Sequence, residues 1–402
     1  MSDCDGGAWS FRSHIARFDR SNSVFIPDRP PLLHHSGLFF YDLNVQKERQ
    51  SAPLSSNDES LLYLCRKDVE QLCSTIDTVA IIREVFRLHS LQQTVLPDEA
   101  YLGWENPLGE TVRSLNMPAY VGGELTAAGT KIINGNIANP QRGLPRANGL
   151  TLLFDPITVR INAILEGAYL SSLRTASVTA LAVDLLQGRP IKKVAIIGAG
   201  VLAQAHIELL VKRLPTLQKI ALFDLDAQRS QHFAQGIAGL LHEHQVTFEQ
   251  SASAQMAIAE AELVIPVTTT TTGYIPYQWL SPGTIVVNVS LDDILPDVVL
   301  QADAVIVDDW HLVKSDHRRL LGRMYRAGQL IGPDDSEQEQ RPFSRKIDAQ
   351  LGDLITGKRI GRRTPEEILL VNPFGLAIED IALAARIYQE AVRQGKGLQL
   401  CR

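Results

Sequence analysis

Two groups of residues in this sequence are of types that do chemistry. The first is Gly198-x-Gly200-x-x-Ala203, which follows the apolar run Val194-Ala195-Ile196-Ile197 and opens a helical stretch. In such a turn the first glycine permits the tight bend and the second lets a pyrophosphate approach the backbone. A small third residue lets helix and strand pack closely. Free amides at the helix start then attract the phosphates. Gly198, Ala199, Gly200, Val201 and Leu202 are therefore expected to line a dinucleotide. The next apolar run, Lys219–Phe223, ends on Asp224. An acid there accepts from both ribose hydroxyls and repels a 2′-phosphate, so NAD is expected rather than NADP. Arg229 reads as a solvated helix arginine. Thr268 and Thr270 follow the fourth strand and Ser290 the fifth, at the strand ends where such sheets bind ligands.

The second group is cationic. Arg113 precedes Ser114-Leu115-Asn116-Met117-Pro118, and Lys131 lies in Gly129-Thr130-Lys131-Ile132-Ile133. Arg146 lies in Leu144-Pro145-Arg146-Ala147-Asn148-Gly149 and Arg174 in Ser171-Ser172-Leu173-Arg174-Thr175-Ala176. Singly, each would be an ordinary surface cation. Lys131 stands apart because apolar residues follow it and a glycine lies two residues before it. Asp292 and Asp293 are the acids available for proton transfer, which needs a base to take an amine proton and to activate water. The sequence leaves open which of the two serves, the other being a cap or turn residue.

The elements that position these groups follow from periodicity. Leu61–Leu64 reads as a strand, and Arg66–His89 carries helical spacing. Strand-like runs follow at Val112–Met117, Ala127–Asn134, Leu150–Asp155 and Ile161–Leu165. From Pro190 the pattern changes to short apolar strands at 194–197, 219–223, 246–249, 263–267, 284–289 and 304–307, alternating with helices such as 254–261. That alternation implies a parallel, doubly wound sheet. Ala377–Arg393 reads as one amphipathic helix. Residues 1–57 read as an extension with a short apolar strand at Gly37–Tyr41. The loop bearing Asp308, Asp309, His311, Asp316 and His317 reads as solvated, and Arg318-Arg319 as helix surface. His242-Glu243-His244 has the wrong spacing for a shared helix face, so no metal site is expected.

Composition bounds the rest. The chain has 402 residues, 45% of them apolar and 21% charged, with a net charge of −6. The size suggests two to four domains, and the charge excludes a basic nucleic-acid footprint. Apolar runs fall well short of the roughly 18 residues of a membrane span. Four scattered cysteines, without a secretory pattern, suggest reduced thiols and a cytoplasmic protein.

Together, several of these segments resemble the ornithine cyclodeaminase/mu-crystallin family from about Leu61 to the C-terminal helix. They are the Arg-x-x-x-Met-Pro-type segment, the Gly-x-Lys strand, Asn139-Pro140 with Gly143-Leu144-Pro145, Ser-Leu-Arg-Thr-Ala, the dinucleotide fingerprint and Gly375-Leu376-Ala377-Ile378-Glu379-Asp380. Arg146-Ala147-Asn148-Gly149, Asn288–Asp293, Val307–Trp310 and Asn372–Gly375 look closest to the family's 2,3-diaminopropionate-forming branch in siderophore biosynthesis. Two features depart from the family pattern: Pro373, where many members carry a small hydroxyl residue, and the N-terminal extension.

The resemblance implies an α/β fold. A Rossmann NAD-binding domain (176–375) would join a discontinuous α+β substrate-binding and dimerisation domain (58–175 and 376–402), with 1–57 outside both. It implies a homodimer that takes a small anionic amino-acid substrate and binds neither nucleic acid nor membrane. The branch's reaction is oxidation of N-(1-amino-1-carboxy-2-ethyl)-L-glutamate with NAD, giving 2-oxoglutarate and L-2,3-diaminopropionate. Arg113, Lys131 and Arg174 would bind the substrate carboxylate region and Arg146 a further carboxylate. Lys131 would act in catalysis with Asp292 or Asp293. A cyclodeaminase-like lyase making proline and ammonia from ornithine, and a non-catalytic mu-crystallin-like binding protein, are the alternative activities.

Overall fold

Residues 127–131 alternate buried and half-buried side chains, as a strand with one face on a core does, and the strand they open is central to the first of two large sheets. The computed structural model describes residues 60–290, 292–336 and 344–401. The expected strand at Gly37–Tyr41 lies outside them. Along the chain come β1 (Ser60–Leu64), α1 (Arg66–Cys73), α2 (Thr78–Ser90), β2 (Thr94–Val95), β3 (Ala100–Glu105), β4 (Thr111–Val121), β5 (Ala127–Asn136), β6 (Ala147–Phe154) and β7 (Ile161–Glu166). The first sheet runs from the C-terminal strand Leu398–Cys401 through β1, β7, β6, β5 and β4 to β2, and β3 also pairs with β4. The helical pattern over 66–89 is interrupted. Asp77 accepts from the Ala80 amide and starts a new helix, so two helices replace the single one expected.

The second sheet is wholly parallel. It contains β8 (Lys193–Ile197), β9 (Lys219–Phe223), β10 (Thr247–Gln250), β11 (Leu263–Pro266), β12 (Ile285–Val287) and β13 (Ala304–Val307), at the positions read from the sequence. β14 (Leu330–Ile331) and β15 (Arg345–Lys346) form a separate pair, while β16 (Ala349–Gln350) and β17 (Leu369–Asn372) join the main sheet. Its order is β10-β9-β8-β11-β12-β17-β13-β16. β17 inserts between β12 and β13 and was not foreseen. It is apolar and fully buried, and nothing local in a sequence states which neighbours such a strand takes.

Helices cover both sheets. After α3 (Ala168–Leu186) come α4 (Val201–Arg213), α5 (Ala227–Glu243), α6 (Ala254–Ile258), α7 (Pro296–Gln301), α8 (Trp310–Ser315), α9 (Leu320–Arg326), α10 (Leu351–Ile355) and α11 (Ala377–Gln394). The apolar face of α11, including Ile378, Ile381, Ala384 and Ile387, is buried against β4, β5 and α3. α3 starts at the first sheet and reaches β12 and α4 of the second. It is hydrophobic on most sides, as a helix buried between layers is. Among the described residues no helix is long and apolar enough to cross a membrane, and Cys65, Cys73 and Cys401 are unpaired.

Candidate active site

The turn after β8 has the geometry the fingerprint predicted. Gly198 has φ +107°, a conformation that side-chain-bearing residues avoid. At Gly200 a Cβ would meet nothing within 4 Å, so the backbone opens onto free space. Ala203 is fully buried where α4 leaves the turn. Asp224 accepts from the Ala199 amide at 2.7 Å and from the Asp226 amide at 2.9 Å, which fixes the carboxylate beside the cradle. Arg229 reaches Asp224 only at 4.0 Å and is mostly exposed. Val201, at the first position of α4, is also exposed. An open glycine cradle, helix-start amides and an acid at the next strand end fit a dinucleotide with a free ribose 2′-hydroxyl.

Thr268, Ser290 and Asp293 converge at the strand ends beyond β11 and β12. Asp293 is fully buried and accepts from the Thr268 and Tyr274 hydroxyls, each at 2.7 Å, and from Ser290. Burial raises the Asp293 pKa; the three hydroxyls oppose the rise and Asp292 adds to it. Asp292 lies in a different setting. Arg323 grips it from α9 with contacts of 2.7 and 3.3 Å. Thr270 stays in the turn, its hydroxyl donating to the Thr272 carbonyl.

The four cations form two pairs. Lys131 is 1% exposed and donates to Asp380 at 2.6 Å and Ser171 at 3.3 Å. Arg174 meets Glu379 at 2.7 Å and Asp380 at 3.4 Å. These acids occupy the first turn of α11, where the helix dipole favours negative charge. A Cβ at Gly375 would come within 2.6 Å of Arg174 Nη1, so the chain entering α11 must have glycine there. Burial pushes the Lys131 ammonium down against the pull of Asp380. Burial also works against the Arg174 charge, but Asp380 and Glu379 outweigh it and raise its pKa. Burial pushes Glu379 up to about 7 in spite of Arg174.

Arg113 and Arg146 sit elsewhere. Arg113 is opposite Gly135, four residues beyond Lys131 on β5 and on the same sheet face. The Arg146 pKa falls, first through burial and then through the Arg113 charge. Neither arginine makes an ion pair within 4 Å among the described residues.

Two sequence expectations are corrected. Asp308, Asp309 and Asp316 are buried rather than solvated. Asp308 accepts from the Gly375 amide at 2.6 Å and so holds the turn that backs Arg174. Nor are Arg318 and Arg319 a free helix surface. Arg319 donates to the Phe374 carbonyl at 2.8 Å and stacks on the Phe374 ring, while Arg318 stacks on Tyr101. Sequence reasoning also missed Tyr274 and Arg323, which contact Asp293 and Asp292. The two consecutive arginines before an apolar helix were the signal available for the Arg318–Arg319 site.

The family model "Ornithine cyclodeaminase/mu-crystallin family" matches residues 61–395. The N-((2S)-2-amino-2-carboxyethyl)-L-glutamate dehydrogenase of Staphylococcus aureus is 30% identical over 347 residues, spanning 85% of this chain and 99% of that protein. The crystal structure of CmnK superposes with a TM-score of 0.77 at 34% identity, covering 85% of this chain and 98% of that one. The Δ1-pyrroline-2-carboxylate reductase of Thermococcus litoralis, determined with NADH and L-proline, shares the fold. Its TM-score is 0.73 at 23% identity, with 84% and 99% of the two chains covered.

Proposed function

This chain belongs to the ornithine cyclodeaminase/mu-crystallin family, and from that premise we propose that it oxidises N-(1-amino-1-carboxy-2-ethyl)-L-glutamate to 2-oxoglutarate and L-2,3-diaminopropionate. It is an NAD-dependent oxidoreductase acting on amino acids. The observation that carries the specific reading is the division of the cations. Four residues of β5 separate the Lys131–Arg174 pair from the Arg113–Arg146 pair, about 13 Å of strand. A single amino-acid headgroup needs one such pair. A substrate joining two amino-acid skeletons presents carboxylates at both ends and needs two. The branch affinity agrees with the similarity to the Staphylococcus aureus dehydrogenase.

In this reading Lys131 and Arg174 hold the glutamyl carboxylate, and their acids on α11 keep both side chains in place. Arg113 and Arg146 take the far carboxylate through planar, two-pronged contacts. Gly198–Leu202, Asp224, Thr268, Thr270 and Ser290 hold the cofactor. NAD, when bound, supplies the acceptor for the hydride leaving the glutamyl α-carbon. Asp293, its pKa raised by burial, takes the proton of the linking ammonium and releases it to solvent as the one proton of the balance, then takes one from the water that adds to the resulting C=N bond and returns it to the departing nitrogen. Collapse of the adduct breaks the C–N bond and expels the diamine. The balance is substrate, NAD and water to 2-oxoglutarate, diaminopropionate, NADH and a proton. Asp292 positions Arg323 and is not the base.

We also place a homodimer interface on the first sheet, in a cytoplasmic enzyme that feeds siderophore or related natural-product synthesis. An archaeal alanine dehydrogenase of the same fold was determined as a dimer with NAD. The testing experiment mixes enzyme, NAD and the glutamate conjugate. NADH formed in equal amount to 2-oxoglutarate is expected. Proline and ammonia from ornithine without net NADH would identify a lyase instead, and cofactor binding without turnover a binding protein.

A further inference from the structure

We propose that Ser290 is a proton relay: its hydroxyl takes the proton of the substrate's linking ammonium while passing its own to Asp293. This inference rests on the reading above and adds a step to it. Asp293 is 0% exposed, so a substrate nitrogen does not touch it directly. Its backbone is fixed as well, because its carbonyl accepts from the amides of Tyr274 at 2.9 Å and Ile275 at 3.0 Å. A proton bound for Asp293 must therefore pass through one of the hydroxyls that cover it, those of Thr268, Tyr274 and Ser290. All three residues are half-buried, so exposure does not choose between them.

Hydrogen-bond capacity does choose. A carboxylate oxygen has two lone pairs, and a hydroxyl has one hydrogen to give. Asp293 Oδ1 accepts from Thr268 and Tyr274, each at 2.7 Å, which fills both of its lone pairs. Oδ2 accepts from Ser290 and has room for a proton. Ser290 Oγ also lies 3.0 Å from the Pro266 carbonyl, which can only accept. The single Ser290 hydrogen thus has two resting places. With Asp293 charged, it points to Oδ2. With Asp293 protonated, Oδ2 donates to Oγ and the Ser290 hydrogen turns to Pro266. In the relay the substrate N–H bond breaks as an O–H bond forms at Ser290 Oγ. The former Ser290 O–H bond breaks as one forms at Asp293 Oδ2. One proton moves from nitrogen to Asp293, and Ser290 is regenerated. The same path run backwards returns the water-derived proton to the departing nitrogen. Thr268 and Tyr274 lack this option, because neither side chain has a second acceptor among the described residues, and Thr268 Oγ1 already takes the Thr270 amide at 3.2 Å. Pro266 ends β11 and Ser290 follows β12, so the relay lies at the strand ends where such sheets hold ligands.

The experiment compares Ser290→Ala, which removes the relay, with Ser290→Thr, which keeps a hydroxyl. On the glutamate conjugate, Ser290→Ala should lower kcat by about 10²- to 10⁴-fold, the range of a lost proton-transfer group. Its NAD affinity, read by calorimetry, should be nearly kept, and Ser290→Thr should restore most of kcat. Tyr274→Phe should behave differently. Burial raises the Asp293 pKa and the Tyr274 hydroxyl opposes the rise. Its loss should move the acid limb of the kcat/KM profile to higher pH by about one unit, with a much smaller loss on the plateau. Wild-type kcat in Ser290→Ala, a Ser290→Thr as slow as Ser290→Ala, a loss confined to NAD affinity, or an equal plateau loss in Tyr274→Phe would each overturn the inference. An infrared pH titration decides it without turnover. The carboxylic C=O band of protonated Asp293, absent in Asp293→Asn, should move in Ser290→Ala, where the proton on Oδ2 has lost its acceptor, and return in Ser290→Thr. An unmoved band would overturn the relay even where the conjugate is a substrate. A band that moves in an enzyme without wild-type turnover on the conjugate would count against the reaction alone.

Discussion

Replacing Gly200 by alanine separates the folding role of the dinucleotide turn from its binding role. Gly200 has φ −106° and ψ −173°, extended backbone that alanine adopts without strain. Its added methyl would meet no protein atom within 4 Å. A less flexible unfolded chain should therefore make Gly200→Ala equal to wild type in stability or better by about 0.4–1 kcal/mol. The same methyl fills the space a pyrophosphate must enter. Losing one or two hydrogen bonds to a charged group costs about 1.5–3 kcal/mol, which weakens NAD binding roughly 10- to 150-fold. Gly198→Ala is the contrasting case. Its φ of +107° and a Cβ only 3.2 Å from the Val267 carbonyl predict a stability loss of at least about 1–2 kcal/mol. Thermal unfolding without cofactor and calorimetric titration with NAD read the two effects separately. A Gly200→Ala protein that binds NAD like wild type, or that loses as much stability as Gly198→Ala, would refute the assignment of the cradle.

Asp293→Asn should lower kcat by about 10²- to 10⁴-fold while NAD affinity is kept, as loss of a proton-transfer group does; steady-state kinetics beside Asp292→Asn check the assignment, and an equal kcat loss in Asp292→Asn would reverse it. Asp380→Asn leaves the Lys131 ammonium buried without its charge partner, so denaturant unfolding should show a loss of about 3–5 kcal/mol. Glu379 is raised in the fold from 4.5 to about 7. Between those values the folded state keeps a proton that the unfolded state releases, so its contribution is full below about 4.5 and is lost as pH rises through 7. Stability measured across that window should fall less with rising pH in Glu379→Gln than in wild type.

Much of the nucleotide-binding sheet was legible because fully buried parallel strands must be short apolar runs, and β8, β9, β11, β12 and β13 are such runs. The fingerprint was legible for the same kind of reason: only glycine tolerates the backbone of Gly198. Strand order was not. β17 is as apolar as its neighbours, and its place between β12 and β13 is settled by register far along the chain. Asp308 read as a solvated loop residue and Arg319 as helix surface, because charge outside an apolar run is usually one or the other. Their partners are the amide of Gly375 and the carbonyl of Phe374, backbone groups that no residue type announces. β3 is exposed along its whole length, so it lacks the alternation that betrays a half-buried strand, and it passed unnoticed. Lys131 and Arg174 were found as residues, but their acids on α11 lie more than two hundred positions away. The division of the cations into two pairs could be seen only once β4 and β5 were in register.

The central claim is that this chain removes hydride from the glutamyl α-carbon of a conjugate of two amino acids and releases both halves. The direct measurement uses the conjugate carrying deuterium at that carbon, incubated with NAD and analysed by mass spectrometry for every product. The account predicts deuterium in the reduced cofactor, one label per turnover, with unlabelled 2-oxoglutarate and diaminopropionate in equal amounts. Deuterium retained in an amino-acid product, or oxoacid formed without labelled cofactor, would contradict it.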